Sequence, residues 1–151
     1  MQNILLFLFP KILFDSISYP DVSLAKNRAA QIKKEKSLEI NQTITTKLEK
    51  YIATSPYIEP GFNLSKMALD LQLSERVLSN YFNTELSISF SEWKNNNRID
   101  YACKMIADGK ADKLTVEGIS QNVGFSSRSK FIDAFKERKG TVPSAYIKQF
   151  S

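Results

Sequence analysis

Two runs of residues, each following a serine, carry side chains that hydrogen-bond through charged, amide or hydroxyl groups. The run after Ser74 includes Glu75, Arg76, Ser79, Asn80 and Asn83. The run after Ser127 includes Arg128, Ser129, Lys130 and Asp133, together with the apolar Ile132. Arginine can donate two parallel hydrogen bonds to guanine, and asparagine can exchange two with adenine. These residue types therefore indicate non-covalent recognition of a partner that presents many donors and acceptors.

Both runs lie within a repeated sequence pattern. Four positions recur at a shift of 52 residues, so that Met67, Ala68, Leu71 and Leu73 correspond to Ile119, Ser120, Val123 and Phe125. Six more recur at a shift of 53, so that Ser74, Leu78, Phe82, Phe90, Ser91 and Trp93 correspond to Ser127, Phe131, Phe135, Pro143, Ser144 and Tyr146. The second copy has therefore gained one residue in its turn, and the repeat predicts two copies of one supersecondary unit.

Each copy has the pattern of a helix, a tight turn and a second helix. In the second copy Gly124 permits the sharp turn, and Ser127 can cap the next helix by accepting a hydrogen bond from a backbone N–H. Phe131 and Phe135 are expected to point inward because they lie four residues apart. The equivalent cap and anchors of the first copy are Ser74, Leu78 and Phe82. The polar runs then remain on the outer side of each second helix, where a helix-turn-helix unit places its base-recognising groups.

These features together resemble a known family. The paired units, the run GFSSRSKFIDAFK from Gly124, the ending Pro143-Ser144-x-Tyr146 and the long joining helix are similar to the AraC/XylS-type DNA-binding domain. The resemblance covers about residues 40–150. It implies two helix-turn-helix units held by one linker helix, with both recognition helices presented to successive major-groove faces about 34 Å apart.

The resemblance also sets the expected domain boundaries. The DNA-binding domain is expected to span residues 37–151, with the first unit at about 63–84, the linker helix at about 90–107 and the second unit at about 115–138. No useful run of alternating apolar and polar residues predicts a strand. The expected fold class is therefore all-α, preceded by an N-terminal extension.

Carried over by position, the resemblance implies a set of DNA base contacts. The residues at these positions are Arg76, Ser79 and Asn80 in the first unit and Arg128, Ser129, Lys130 and Asp133 in the second. Asp133 departs from the family pattern, in which an arginine is often found, although a carboxylate can accept a hydrogen bond from cytosine. Ile132 fits either a contact with a thymine methyl group or partial burial in the core.

The linker helix is expected to turn a charged face outward. Its buried side is predicted to carry Trp93, Ile99, Ala102, Cys103 and Ile106, which leaves Lys94, Arg98 and Lys104 to point away from the core. Lys94 and Arg98 are predicted to contact DNA phosphates, which would position the protein without carrying sequence information. The alternative is an exposed charged face with no ligand.

The composition excludes several kinds of chemistry. The chain of 151 residues has no histidine and one cysteine, which rules out histidine-based catalysis and an internal disulfide. No glycine-rich phosphate-binding loop is present. We therefore predict no catalytic site, cofactor or metal. The net charge of +5 and the pI of about 9.3 favour a polyanionic partner without requiring one.

The first 36 residues are predicted to be an apolar segment followed by a linker. Residues 1–14 are rich in Leu, Ile and Phe but are too few to span a bilayer, which takes about 20 apolar residues. They fit either a local packing segment or the end of a membrane region that is otherwise missing. Residues 15–31 show no clear period and are predicted to be a linker. From Leu38 to Ala53 the spacing predicts an amphipathic helix that packs on the first unit.

The function expected from the resemblance is a sequence-specific transcription regulator that is not an enzyme. Its partners would be double-stranded DNA and RNA polymerase, since most members of the resembled family are activators. It would be cytoplasmic, either free or tethered at the inner face of the membrane by its N-terminal segment. The alternative is a membrane-associated signalling protein or fragment whose helical domain mainly contacts protein.

Overall fold

The computed structural model describes residues 22–111 and 113–150, and all the regular structure within these ranges is helical. The α-helices are α1 (Val22–Ala53), α2 (Leu64–Leu71), α3 (Glu75–Thr84), α4 (Phe90–Ala107), α5 (Val116–Asn122), α6 (Arg128–Lys139) and α7 (Pro143–Ile147). A 3₁₀ turn at Pro56–Ile58 follows α1. The prediction of an all-α fold with two helix-turn-helix units and a linker helix is confirmed. The two units are formed by α2 with α3 and by α5 with α6, and α4 is the linker.

The described residues divide into two compact parts, residues 22–40 and residues 41–150. The predicted linker at residues 15–31 is helical from Val22 onward, where α1 begins. Residues 23–40 are exposed, and the helix forms there without an apolar stripe. Its Ala, Lys and Glu residues favour a helix through intrinsic propensity, which a search for hydrophobic period does not detect.

The apolar N-terminal segment at residues 1–14 lies outside the described residues. Among the helices that are described, none combines the length and the apolar character needed to cross a membrane.

The later part of α1 packs on the first helix-turn-helix unit, as predicted. Ile44 and Leu48 are buried in its core, and Tyr51 and Ile52 lie against that core. The predicted stripe was too long, however, because Leu38 is exposed and lies in the other compact part of the chain.

The turns of the two units have equivalent backbone structure. The amide of Leu73 donates to the carbonyl of Ala68, and the amide of Phe125 donates to that of Ser120. Gln72 and Gly124, which correspond at the shift of 52 residues, both adopt left-handed conformations, with φ of 54° and 84°. A left-handed residue after a helix is the usual means of satisfying the last carbonyls and turning the chain. The repeat in sequence is therefore a repeat in backbone structure.

Each unit has its own hydrophobic core, and α4 contributes to both. The first core includes Leu78, Phe82 and Trp93. The second includes Ile99 from α4 and Phe131 from α6. The predicted buried side of α4 is confirmed for Trp93, Ile99, Ala102, Cys103 and Ile106. The helix thus passes from one core to the other between Trp93 and Ile99.

An ion-pair cluster joins α4 to the end of α6. Asp100 accepts hydrogen bonds from Arg138 and Lys139, both at 2.8 Å. Partial burial of Asp100 favours its neutral form, but the hydrogen bonds from the two cations outweigh that effect and lower the pKa of the carboxyl group.

We expect Asp100→Asn to lower the free energy of unfolding by an amount that depends on pH. Since the folded-state pKa lies below the ordinary value of 3.8, the stability that this carboxylate provides is complete above that value and is lost as pH falls through the folded-state pKa. Urea unfolding of both proteins across acidic pH measures the difference. A difference that persists unchanged at the lowest pH would contradict the assignment.

Phe131 is fully buried and lies between the rings of Phe125 and Phe135. We expect Phe131→Ala to lower the free energy of unfolding by about 3–5 kcal/mol, because it leaves a cavity in the second core. Phe150→Ala is the control, since Phe150 is 49% exposed and its truncation should cost much less. Equal losses in the two variants, measured by urea unfolding, would show that Phe131 does not anchor α6.

Candidate nucleic-acid interface

The first recognition helix, α3, is capped and anchored as the sequence predicts. The Ser74 hydroxyl accepts a hydrogen bond from the Val77 amide at 3.3 Å, and Leu78 and Phe82 are fully buried. These contacts hold the opposite side of the helix toward solvent. Arg76 and Asn80 are exposed there, and Ser79 is half-buried.

A further contact supports α3 from behind. Tyr81 is buried, and its hydroxyl lies 2.7 Å from the hydroxyl of Thr45 on α1. Tyr81 was not predicted from the sequence, although it lies three residues after Leu78 and so shares its helix face. Helix α1 therefore contributes a hydrogen bond as well as apolar packing to the position of the first recognition helix.

The second recognition helix, α6, presents its predicted residues in the same way. Ser127 caps it through the Lys130 amide at 3.4 Å, and Phe131 and Phe135 are fully buried. The residues predicted to contact bases, which are Arg128, Ser129, Lys130 and Asp133, are all exposed. Ile132 is half-buried and packs against the second core, which agrees with partial burial, one of the two roles predicted for it.

A cleft of about 360 Å³ separates the first half of α4 from α6. Its lining residues are Ser91, Lys94, Asn95, Arg98, Phe125, Ser126, Lys130, Asp133, Ala134 and Glu137. The cleft brings together Lys94 and Arg98, predicted to contact phosphate, with Lys130 and Asp133, predicted to contact bases. Two acidic side chains thus accompany three basic ones.

Lys94 is half-buried at the edge of this cleft. Its ammonium group lies 5.6 Å from the centre of the Phe90 ring and 3.5 Å from the carbonyl oxygen of Phe62. Burial lowers the pKa of Lys94, and the positive charges of Arg98 and Lys130 lower it further. An anion in the cleft would offset this repulsion, because an opposite charge stabilises the protonated amine.

The prediction that Arg98 points outward is wrong. Arg98 is only 6% exposed, and its Nε donates a 2.6 Å hydrogen bond to the carbonyl oxygen of Tyr57. The physical reason is that backbone carbonyls and the Phe125 ring replace water around the guanidinium. A signal was present in the sequence, since Arg98 precedes Ala102 by four residues and Ala102 precedes Ile106 by four, so all three share one helix face.

No cluster of three or more Cys, Asp or Glu residues within residues 22–111 and 113–150 is placed to hold a metal ion. Cys103 is buried in the second core, and this burial raises the pKa of its thiol. The interpretation of Cys103 as a core residue agrees with this position.

Two units with capped, outward-facing recognition helices and one shared linker helix define a double helix-turn-helix DNA-binding domain. A family model described as a helix-turn-helix domain matches residues 67–149, which is more than half of the chain. Together with the relatives below, this match shows that the chain belongs to the AraC-type helix-turn-helix family.

The chain is similar to named members of the family over part of their length. It is 31% identical over 98 residues to the virulence regulon transcriptional activator VirF of Yersinia enterocolitica, which covers 65% of this chain and 34% of VirF. The C-terminal domain of AraT, a response regulator from Geobacillus stearothermophilus, matches with 26% identity and a TM-score of 0.56, over 66% of this chain and 79% of that domain. This chain therefore spans about a third of the length of the VirF protein that it matches.

A third match concerns the fold alone. The DNA-binding domain of AdpA, solved in complex with a target DNA, has 17% identity and a TM-score of 0.57, over 69% of this chain and 91% of that domain.

We expect Arg76→Ala and Arg128→Ala each to weaken binding to the preferred DNA site by about 1–3 kcal/mol and to relax base selection, because each removes a potential bidentate contact. Lys94→Ala should instead weaken all sequences alike and reduce the slope of log affinity against log salt by about 1. Fluorescence anisotropy with preferred and scrambled duplexes measures both effects.

Lys104→Ala is the matched control for Lys94→Ala, since Lys104 is exposed on the same helix but outside the cleft. Equal losses on preferred and scrambled DNA for the two arginine variants would remove Arg76 and Arg128 from the set of base contacts.

Proposed function

We propose that this chain is a sequence-specific transcription regulator that binds two successive major-groove segments of double-stranded DNA. The observation that carries the proposal is the pair of exposed hydrogen-bonding sets on α3 and α6, each held outward by a buried aromatic anchor. Arg76 and Asn80 would select bases in one segment, and Arg128 with Ser129 and Lys130 would select bases in the other.

The contact with the DNA backbone would come from the cleft between α4 and α6. The positive charge of Lys130 contributes to lowering the pKa of Lys94, and both side chains line the cleft, where they can approach an anion. A phosphate there would position the protein along the duplex, and Lys94 would supply part of the salt-dependent affinity. Arg98 is not assigned this role, because its guanidinium is occupied by backbone carbonyls.

The two recognition helices differ in sequence, so one chain would bind an asymmetric site. Arg76, Ser79 and Asn80 in α3 present a different set of donors and acceptors from Arg128, Ser129 and Lys130 in α6. Half-sites about 10 base pairs apart would place both on one face of B-DNA.

The names of the relatives support a role in transcription. VirF is named as a transcriptional activator, whereas the similarity to the DNA-bound domain of AdpA concerns the fold alone. By analogy with VirF we propose activation, with RNA polymerase as the second partner, and a cytoplasmic location where the DNA is accessible.

The test is a selection of bound duplexes from a randomised pool, using the purified full chain. We expect a two-part motif with half-sites about 10 base pairs apart. The affinity for the selected site should exceed that for a scrambled duplex by a factor of about 10³ or more, and both affinities should fall with salt. No enrichment at any salt concentration would overturn the proposal.

A further inference from the structure

Arg98 occupies the point at which α4 passes from one core to the other. Trp93, five residues earlier, belongs to the first core, and Ile99, the next residue, belongs to the second. Tyr101, one turn later, packs against both cores. Arg98 is therefore the charged residue of α4 that is buried where the two helix-turn-helix units meet.

The side chain of Arg98 contacts segments that belong to different units. On one side Nε donates to the carbonyl oxygen of Tyr57 at 2.6 Å and Nη2 donates to that of Glu59 at 3.4 Å. Both carbonyls belong to the segment that leads into the first unit. On the other side the guanidinium lies over the ring of Phe125, 5.6 Å from its centre, in the turn of the second unit.

The backbones of the two units approach closely beside this side chain. A Cβ added to Gly124 would lie 2.4 Å from the carbonyl oxygen of Ile58 and 2.9 Å from Nη2 of Arg98. Tyr57 also meets Tyr101 edge to face, with ring centres 6.4 Å apart. The turn of the second unit is thus seated on the 3₁₀ turn before the first unit, with Arg98 filling the junction.

We propose that Arg98 is a positioning residue that fixes the orientation of the second recognition helix relative to the first, and thereby the half-site spacing that the protein accepts. A buried guanidinium requires its hydrogen-bond partners, since a buried charge without them is costly. The planar guanidinium donates hydrogen bonds in fixed directions and stacks on an aromatic ring, so it is compatible with only a narrow range of geometries. The consequence for spacing rests on the proposed function, whereas the consequence for orientation does not.

The orientation is tested without DNA by measuring the distance distribution between two spin labels with double electron–electron resonance. The labels are attached at Asn83→Cys on α3 and Lys136→Cys on α6, both exposed, in a chain that carries Cys103→Ser. With Arg98 present we expect one narrow distribution. Arg98→Met should broaden this distribution about twofold or more, because methionine cannot donate hydrogen bonds to the carbonyl oxygens of Tyr57 and Glu59.

Arg98→Lys is the conservative variant and also covers the case in which Arg98→Met does not fold. Lysine keeps the charge and can donate to one carbonyl, but it lacks the planar fork, so its distribution should be of intermediate width. Ile106→Val is the control for general loss of stability, because Ile106 is buried in the second core away from the junction. It should lower the melting temperature without broadening the distribution.

The spacing is tested on the selected duplex with one base pair inserted or deleted between the half-sites, which turns one half-site by about 35° relative to the other. The unmodified chain should lose about tenfold or more in affinity for each altered duplex, because DNA must twist or one half-site must be released. The Arg98→Met and Arg98→Lys variants should lose less affinity when the spacing between the half-sites is changed. The control variants Lys104→Met and Ile106→Val should lose as much affinity as the unmodified chain does.

The outcomes separate the two proposals. If the folded Arg98 variants show the distance width and the spacing discrimination of the unmodified chain, Arg98 does not position the units. If the unmodified chain selects no DNA sequence, the proposed function fails, and the distance distributions alone decide the role of Arg98.

Discussion

One helix, α4, supplies side chains to two hydrophobic cores, and the relation between the two helix-turn-helix units depends on this sharing. Its 18 residues extend over about 27 Å, with Trp93 in the first core and Ile99, Ala102 and Ile106 in the second. A helix of this length is stiff on the scale of a small domain. Neither helix-turn-helix unit can therefore rotate about the axis of α4 without displacing the α4 side chains that are buried in its core. The exposed polar residues of α3 and α6 therefore have a defined relation before any ligand is bound.

Much of the fold follows from local signals that the sequence displays directly. Ser74 and Ser127 precede helices whose apolar residues recur at four-residue spacing, and both serines cap those helices in the structure. Gly124 adopts the left-handed conformation expected of a glycine in a tight turn. The start of α1 escaped prediction for the opposite reason. Residues 23–40 are exposed, so no buried apolar stripe marks this part of the helix in the sequence.

In the candidate site too, the features set by local sequence could be predicted, whereas those set by contacts between distant residues could not. The outward exposure of Arg76, Asn80 and Arg128 could be predicted, because it follows from the period of each helix and the position of its anchors. The burial of Arg98 could not be predicted with equal ease, because its acceptor, the carbonyl of Tyr57, lies 41 residues away in sequence. Charge alone suggested that Arg98 faces solvent, whereas the contacts that replace water around it arise only in the folded chain. The cleft beside Lys94 is likewise produced by packing between distant elements.

The two left-handed turn residues place unequal constraints on how the repeated units can diverge. Gln72 holds its left-handed conformation with its side chain in solvent, so replacement by asparagine or glycine would meet no steric obstacle. At Gly124 any side chain would enter the space of the Ile58 carbonyl. If the two copies arose from one ancestral unit, the first turn has been able to drift, whereas the second has been held to glycine by a neighbour that the first turn lacks. Substitution at the second turn is accordingly restricted to glycine, whereas the first turn can vary.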